Sequence, residues 1–170
     1  SVYNFVVEPL KNRYNNVKEV DGKELLLNTE IINHQYVSRE AVVKCLPIIG
    51  NTNIKVGDVV IVHHNVFRRW HNQHGIEKNS RGYIDEKTYL VQPDQIFLYK
   101  DTEWKAQKGY CFVAPIKSTD KLNVDKEKPL VGIVKHTDGT VNKGDLIGFR
   151  PSSEYEFVID GQRLYRVLSN

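Results

Sequence analysis

Cysteine is scarce in this 170-residue chain. Cys45 and Cys111 stand in separate apolar, strand-like runs without metal-ligand spacing, which leaves no disulfide framework and no cysteine-based metal centre. Both thiols are expected as small buried hydrophobes in a reducing compartment. Long apolar runs are missing too: none reaches the roughly 18 residues a membrane helix needs, and the amino end has no signal-peptide pattern. A soluble, cytoplasmic chain with no membrane partner is expected. Charge of one sign is in short supply, 24 Lys and Arg against 21 Asp and Glu, and the formal +3 is too small to imply a nucleic-acid partner. Catalytic motifs are absent: no Gly-x-Ser-x-Gly elbow, no phosphate-cradling Gly-rich loop, no His-Glu-x-x-His, no Cys paired with a nearby His. The expectation is a binding protein, not an enzyme, with no cofactor of its own. The ends, Ser1-Val2-Tyr3 and the strand-like Leu168-Ser169-Asn170, are compatible with trimming from a longer chain.

What the chain does have, it has twice. Phe5-Val6-Val7-Glu8-Pro9-Leu10 returns, one residue shorter, as Phe112-Val113-Ala114-Pro115-Ile116. Lys55-Val56-Gly57-Asp58-Val59-Val60-Ile61-Val62 returns as Asn142-Lys143-Gly144-Asp145-Leu146-Ile147-Gly148-Phe149. Tyr83 to Val91 returns as Phe157 to Val167. The echoes keep their order, which chance reproduces less readily than any single match, so two copies of one small β-module are expected. With 40% hydrophobic and 26% charged residues the composition suits folded domains. Two modules of under about 100 residues each would be marginal alone, so mutual packing or oligomerisation is expected.

Period-two alternation and β-branched residues predict strands over 3–10, 40–46, 58–63, 87–91, 95–99, 110–116, 130–135, 145–149, 156–159 and 163–168. Turn chemistry separates them at Gly50-Asn51, Gly57-Asp58, Asp138-Gly139, Gly144-Asp145 and Asp160-Gly161. No segment offers a long helical face with caps. The expected class is all-β, as two small tandem barrels or a sandwich: a first module over 1–100, a polar connector over 101–108 and a shorter module over 109–170. Asp58 and Asp145 read as turn residues, accepting hydrogen bonds from nearby amides after a glycine, and not as catalytic carboxylates.

Within the first module, Pro9-Leu10-Lys11-Asn12-Arg13 resembles the opening Pro-Leu-x-Asp-Arg signature of the GroES-type co-chaperonins. Arg39-Glu40-Ala41-Val42-Val43 is similar to that family's Arg-Gly-x-Val strand, Lys55 to Ile61 to its Val-Lys-x-Gly-Asp-x-Val strand, and Asp94-Gln95-Ile96-Phe97-Leu98 to its closing Asp-Ile-Leu-Ala strand. The second module carries a thinner version: Pro115-Ile116, Leu130 to Val134, Lys143-Gly144-Asp145 and the Asp160-Gly161-Gln162-Arg163-Leu164-Tyr165 hairpin, without the closing strand. The resemblance implies two tandem GroES-like barrels, the second pared down, in a virus-encoded or otherwise divergent co-chaperonin.

Two segments stand out as candidate sites. The polar connection 11–39, about 29 residues, encloses the apolar cluster Leu25, Leu26, Leu27, Ile31 and Ile32, and connections that long inside compact domains are usually functional or disordered. In the resembled family this place holds a mobile loop whose apolar tripeptide docks on the chaperonin ring, which would make these the partner-binding residues; the alternative is an ordinary strand packed on the barrel. The second segment, 63–83, carries His63, His64, His71 and His74. His71 and His74 would share a face if helical, and the four are weak candidates for metal, since no cysteine or close carboxylate completes a site. Here too lie Arg68, Arg69, Trp70, Lys78 and Arg81, with Phe67 and Tyr83 near, a combination able to stack on bases or bind phosphate but more often a rim or subunit contact. The segment is longer than the family's equivalent, and Gly50-Asn51-Thr52-Asn53 is shorter than the family's roof hairpin.

The resemblance thus implies a homo-oligomeric co-chaperonin in the cytoplasm, of the host if virus-encoded. It would bind a chaperonin ring, with ATP held by the ring and not by this chain, and assist protein folding. The alternative from another class is a virion or particle component that reuses the barrel without binding a chaperonin.

Overall fold

The computed structural model describes residues 1–14, 17–20, 23–26, 37–117, 127–152 and 154–169. They form an all-β structure whose strands are β1 (Phe5–Pro9), β2 (Val17–Val20), β3 (Lys23–Leu26), β4 (Glu40–Cys45), β5 (Val59–Val62), β6 (Arg69–His71), β7 (Glu77–Asn79), β8 (Tyr83–Asp85), β9 (Thr88–Val91), β10 (Ile96–Lys100), β11 (Trp104–Ala106), β12 (Tyr110–Lys117), β13 (Glu127–Thr137), β14 (Leu146–Gly148), β15 (Tyr155–Ile159) and β16 (Gln162–Leu168). Among the described residues the one helical turn is a short 3-10 turn at Pro93–Gln95, and no helix is long and apolar enough to cross a membrane. The chain divides into two compact units, Ser1–Thr102 and Glu103–Asn170.

In the first unit the strands pair antiparallel in the order β10-β5-β4-β1-β9-β8, while β2-β3 and β6-β7 are separate hairpins. In the second the order is β14-β13-β12-β16-β15. Setting β12 against β1, β13 against β4, β14 against β5, β16 against β9 and β15 against β8 makes the two orders identical, the second lacking a counterpart of β10. Among the described residues neither sheet closes into a barrel.

The repeat extends to single hydrogen bonds. In the first unit Gly57 N donates to Val43 O at 2.8 Å, Val43 N to Asp58 O at 3.0 Å, and Val62 N to Arg39 O at 2.8 Å. In the second Gly144 N donates to Val134 O at 2.8 Å, Val134 N to Asp145 O at 2.9 Å, and Phe149 N to Leu130 O at 2.9 Å. Gly57 and Gly144 both take positive φ, 94° and 95°, where a side chain would be strained. The following carboxylates close each turn: Asp58 Oδ2 accepts from Lys55 N at 2.8 Å, Asp145 Oδ2 from Asn142 N at 3.0 Å.

Register also corrects the alignment of the first echo. Val7 faces Val43 and Tyr89, as Val113 faces Val134 and Tyr165, so Val7 corresponds to Val113 and Pro9 to Pro115. No residue is missing from the second copy: the counterpart of Phe5 is Cys111 and not Phe112. Similar letters had hidden this because Phe5 and Cys111, both buried, differ in kind while filling the same inward position. Each copy shifts register at the same place, between Val6 and Val7 and between Phe112 and Val113.

That irregularity overturns the expectation for one thiol. Alternation along β4 buries Ala41 and Val43 and would bury Cys45, but the register shift puts two residues of β4 opposite one step of β1, and Cys45 lies exposed. Cys111 is buried, and burial, with a smaller contribution from Asp138, pushes its thiol pKa up to about 11, far from a reactive thiolate at neutral pH.

The first core gathers the inward residues of each strand, Phe5 and Val7, Ala41 and Val43, Val60 and Val62, Tyr89 and Val91, capped by Phe67 and Ile96. Each buried Val, Ile or Phe side chain among them contributes about 1.5–3 kcal/mol by leaving water, and Ala41 less. The second core is smaller: Cys111, Val113, Val134 and Val167, with Val141, Ile147, Phe149 and Tyr165 packed on it. A polar clasp supplements it. Asp138 Oδ2 accepts from Gly109 N at 2.7 Å and Ser169 Oγ at 2.9 Å, and Oδ1 from Thr140 N at 3.0 Å and Thr140 Oγ1 at 2.6 Å. Partial burial pushes the carboxyl pKa up, but the bonds from Thr140, Gly109 and Ser169 outweigh it and hold the group down at about 2, against an ordinary 3.8.

A depressed carboxylate stabilises the fold above its unfolded pKa and loses that contribution as pH falls through its folded one. Asp138→Asn, which keeps the shape and removes the charge, is expected to lower unfolding free energy by about 1 kcal/mol at neutral pH. In urea titrations the gap between wild type and variant should narrow from pH 3.8 down to about 2. A gap independent of pH would contradict the clasp.

Candidate functional site

The excursion between β1 and β4 leaves and rejoins the sheet through a fixed base. Tyr14 and Val37 form an isolated antiparallel bridge, and both are buried. Ser38 N donates to Arg13 O at 2.9 Å, and Leu10 N to Glu40 O at 3.0 Å. Beyond this base, β2 and β3 pair with Val17 opposite Leu26 and Lys18 opposite Leu25. Leu25 and Leu26 therefore stand on a strand of a two-stranded hairpin, separate from the main sheet, while Leu27, Ile31 and Ile32 lie outside the described residues.

Arg13 organises this end of the unit. Its Nε donates to Phe67 O at 3.0 Å, Nη1 to Glu86 Oε1 at 3.1 Å and Nη2 to Asn79 Oδ1. The guanidinium lies 5.1 Å from the Tyr83 ring centroid and 5.5 Å from that of Tyr89, and only 6% of the side chain is exposed. Tyr14 adds a second tie: its hydroxyl accepts from Arg69 N at 2.8 Å and donates to Arg69 O at 3.3 Å, with the Arg69 guanidinium 5.3 Å from its ring. The base of the excursion is thus joined to the β6-β7 hairpin, so two segments that read as independent in sequence share a foundation. Below them Phe67 and Tyr83 set their edges against Tyr89, with centroids 4.8 Å and 5.5 Å away. Burial, then the hydrogen bond to Glu86, raises the Tyr83 hydroxyl pKa, and burial raises that of Tyr89.

The 63–83 segment thereby divides into core and rim. Phe67 and Tyr83 serve packing, and Arg69 is occupied by Tyr14, whereas Arg68, Trp70 and Arg81 line an open cavity of about 500 Å³. The histidines do not converge. His63 and His64 stack at 4.2 Å, and His63 Nδ1 accepts from Asn65 N at 3.1 Å. His71 ends β6 and His74 lies in the turn toward β7; the segment is a hairpin, so the helical face that would have aligned them does not form. Among the described residues no group of three or more His, Cys, Asp or Glu is placed to hold a metal ion.

Sequence reasoning did not find the role of Arg13, although Arg13 closes the Pro-Leu-Lys-Asn-Arg motif. A long cation next to an aromatic, Tyr14, ahead of a polar connection was the available signal; its partners at 67, 79 and 86 are remote in sequence. No family model, no curated protein and no solved structure matches the chain.

Proposed function

We propose that the chain is a divergent co-chaperonin of GroES type, made of two copies of an open form of that family's small barrel. It acts by binding and not by catalysis. It contacts a chaperonin ring through Leu25, Leu26, Leu27, Ile31 and Ile32, leaves ATP to the ring, and works in the cytoplasm, that of the host if a virus encodes it. The observation that carries this reading is the excursion over 15–36, which departs from a sheet at a base pinned by Tyr14, Val37 and Arg13. A rigid root under a polar connection that encloses an apolar cluster suits reversible docking, because a few apolar side chains supply a contact energy small enough to keep the complex dissociable. The order β5-β4-β1-β9-β8, repeated in the second unit, supports a shared module.

Oligomerisation has a physical basis in surface composition. Ile48 N donates to Ser1 O at 3.4 Å and Ile49 N to Val2 O at 2.9 Å, which brings Val2, Tyr3, Ile48 and Ile49 together, all exposed, Ile48 at 79%. Neighbouring exposed apolar side chains of this kind mark contact surfaces, here for a second copy. The test is co-sedimentation of the chain with a chaperonin ring, with and without ATP. Nucleotide-dependent retention supports the reading; a chain that stays free in both cases favours a particle component instead.

A further inference from the structure

The cavity beside β6 and β7 is not used by the docking reading, and its lining has a chemistry of its own. We propose that it binds a small nucleotide-like anion, a flat aromatic ring bearing a phosphate, with the phosphate held by Arg68 and Arg81 and the ring stacked on Trp70. Its volume of about 500 Å³ falls within the span of small-molecule sites, roughly 300–1,000 Å³. Among the described residues that line it are two arginines and no carboxylate, so the site is cationic without an internal counter-charge. Val66 and Leu90 supply apolar wall, and Ser80, Gly82 and the side-chain amides of Asn and Gln residues the remainder. Arginine suits phosphate because its planar fork donates two parallel hydrogen bonds. Trp70 is 38% exposed, and the Arg68 guanidinium lies over its ring, 5.9 Å from the centroid, so cation and indole form one cation–π pair at the cavity. An indole offers the stacking face that a base or similar ring takes.

The walls are preorganised. Ser80 Oγ donates to Val66 O at 2.6 Å, tying the turn that follows β7 to the segment before β6. Arg13 links Phe67 O and Asn79 across the same two segments. Gly82 lets the chain pass close to β9: Leu90 N donates to Gly82 O at 2.7 Å, and a Cβ on Gly82 would fall 2.0 Å from Leu90 O. Arg68 and Arg81 are therefore presented from a braced frame, which lowers the ordering cost of binding.

Adenosine monophosphate is a suitable probe, titrated calorimetrically into the full chain alongside adenosine, inorganic phosphate and a 5′-phosphorylated thymidine oligonucleotide. AMP should bind with a Kd between about 10 μM and 1 mM, more tightly than adenosine or phosphate, since ring and anion contacts act together. Arg81→Gln and Trp70→Leu should each weaken AMP about tenfold with far-ultraviolet circular dichroism unchanged, whereas Arg163→Gln in the second unit should have no effect. Absence of AMP binding at millimolar concentration, or equal binding by wild type, Arg81→Gln and Trp70→Leu, overturns the assignment. An oligonucleotide that binds at least as tightly as AMP overturns the small-molecule ligand and makes the site a nucleic-acid contact.

Discussion

Arg13→Ala is expected to destabilise the first unit by about 3 kcal/mol, a large fraction of what holds a small domain together. The Glu86 contact contributes little to that figure, because the Glu86 side chain is 61% exposed and an ion pair in water is weak. The greater part comes from the buried end. Without the guanidinium, Phe67 O and Asn79 Oδ1 lose a charged donor inside the fold, and the Tyr83 and Tyr89 rings lose the group packed on their faces. Trp70 belongs to the first unit and Trp104 to the second. Urea unfolding followed by tryptophan fluorescence in a Trp104→Phe background therefore reads the affected unit alone. Arg13→Lys should recover only part of the loss, since an ammonium cannot serve Phe67 O, Asn79 and Glu86 from one plane. An Arg13→Ala protein as stable as its parent would remove the brace, and with it the argument that the excursion has a rigid root.

The second large effect is on binding. On the proposed docking to a chaperonin ring, Leu26→Asp should weaken binding about 100-fold or more while the circular dichroism spectrum and urea midpoint stay close to wild type. A carboxylate brought into an apolar contact must be desolvated without a partner, which costs several kcal/mol per site, and an oligomer multiplies the loss over its copies. Stability should change little because β2 and β3 form a hairpin of their own and not a strand pair of the main sheet. Unchanged affinity in a folded Leu26→Asp protein would show that the apolar cluster is not the contact.

The all-β class, the main strands and the two Gly-Asp turns were legible in the sequence because each rests on local chemistry: alternation, β-branched residues, and glycine where φ is positive. The order of the echoes anticipated that both sheets would have the same strand sequence. What remained hidden depends on pairing. The correspondence of Phe5 with Cys111, the exposure of Cys45 and the register shift in β1 and β12 follow from which residue faces which, and letters alone do not carry that. The short strands β2, β6, β7, β8 and β11 have three or four residues each, too few for a periodic signal. The aromatic and cationic residues of 67–83 looked like one cluster; only the fold separates Phe67, Arg69 and Tyr83, which face inward or are occupied, from Arg68, Trp70 and Arg81 around the cavity.

One sheet laid down twice is the claim on which the rest stands, and scalar couplings across hydrogen bonds measure it directly by nuclear magnetic resonance. Couplings are expected from Val43 N to Asp58 O and from Gly57 N to Val43 O, and equally from Val134 N to Asp145 O and from Gly144 N to Val134 O. Finding the first pair and not the second would contradict the duplication.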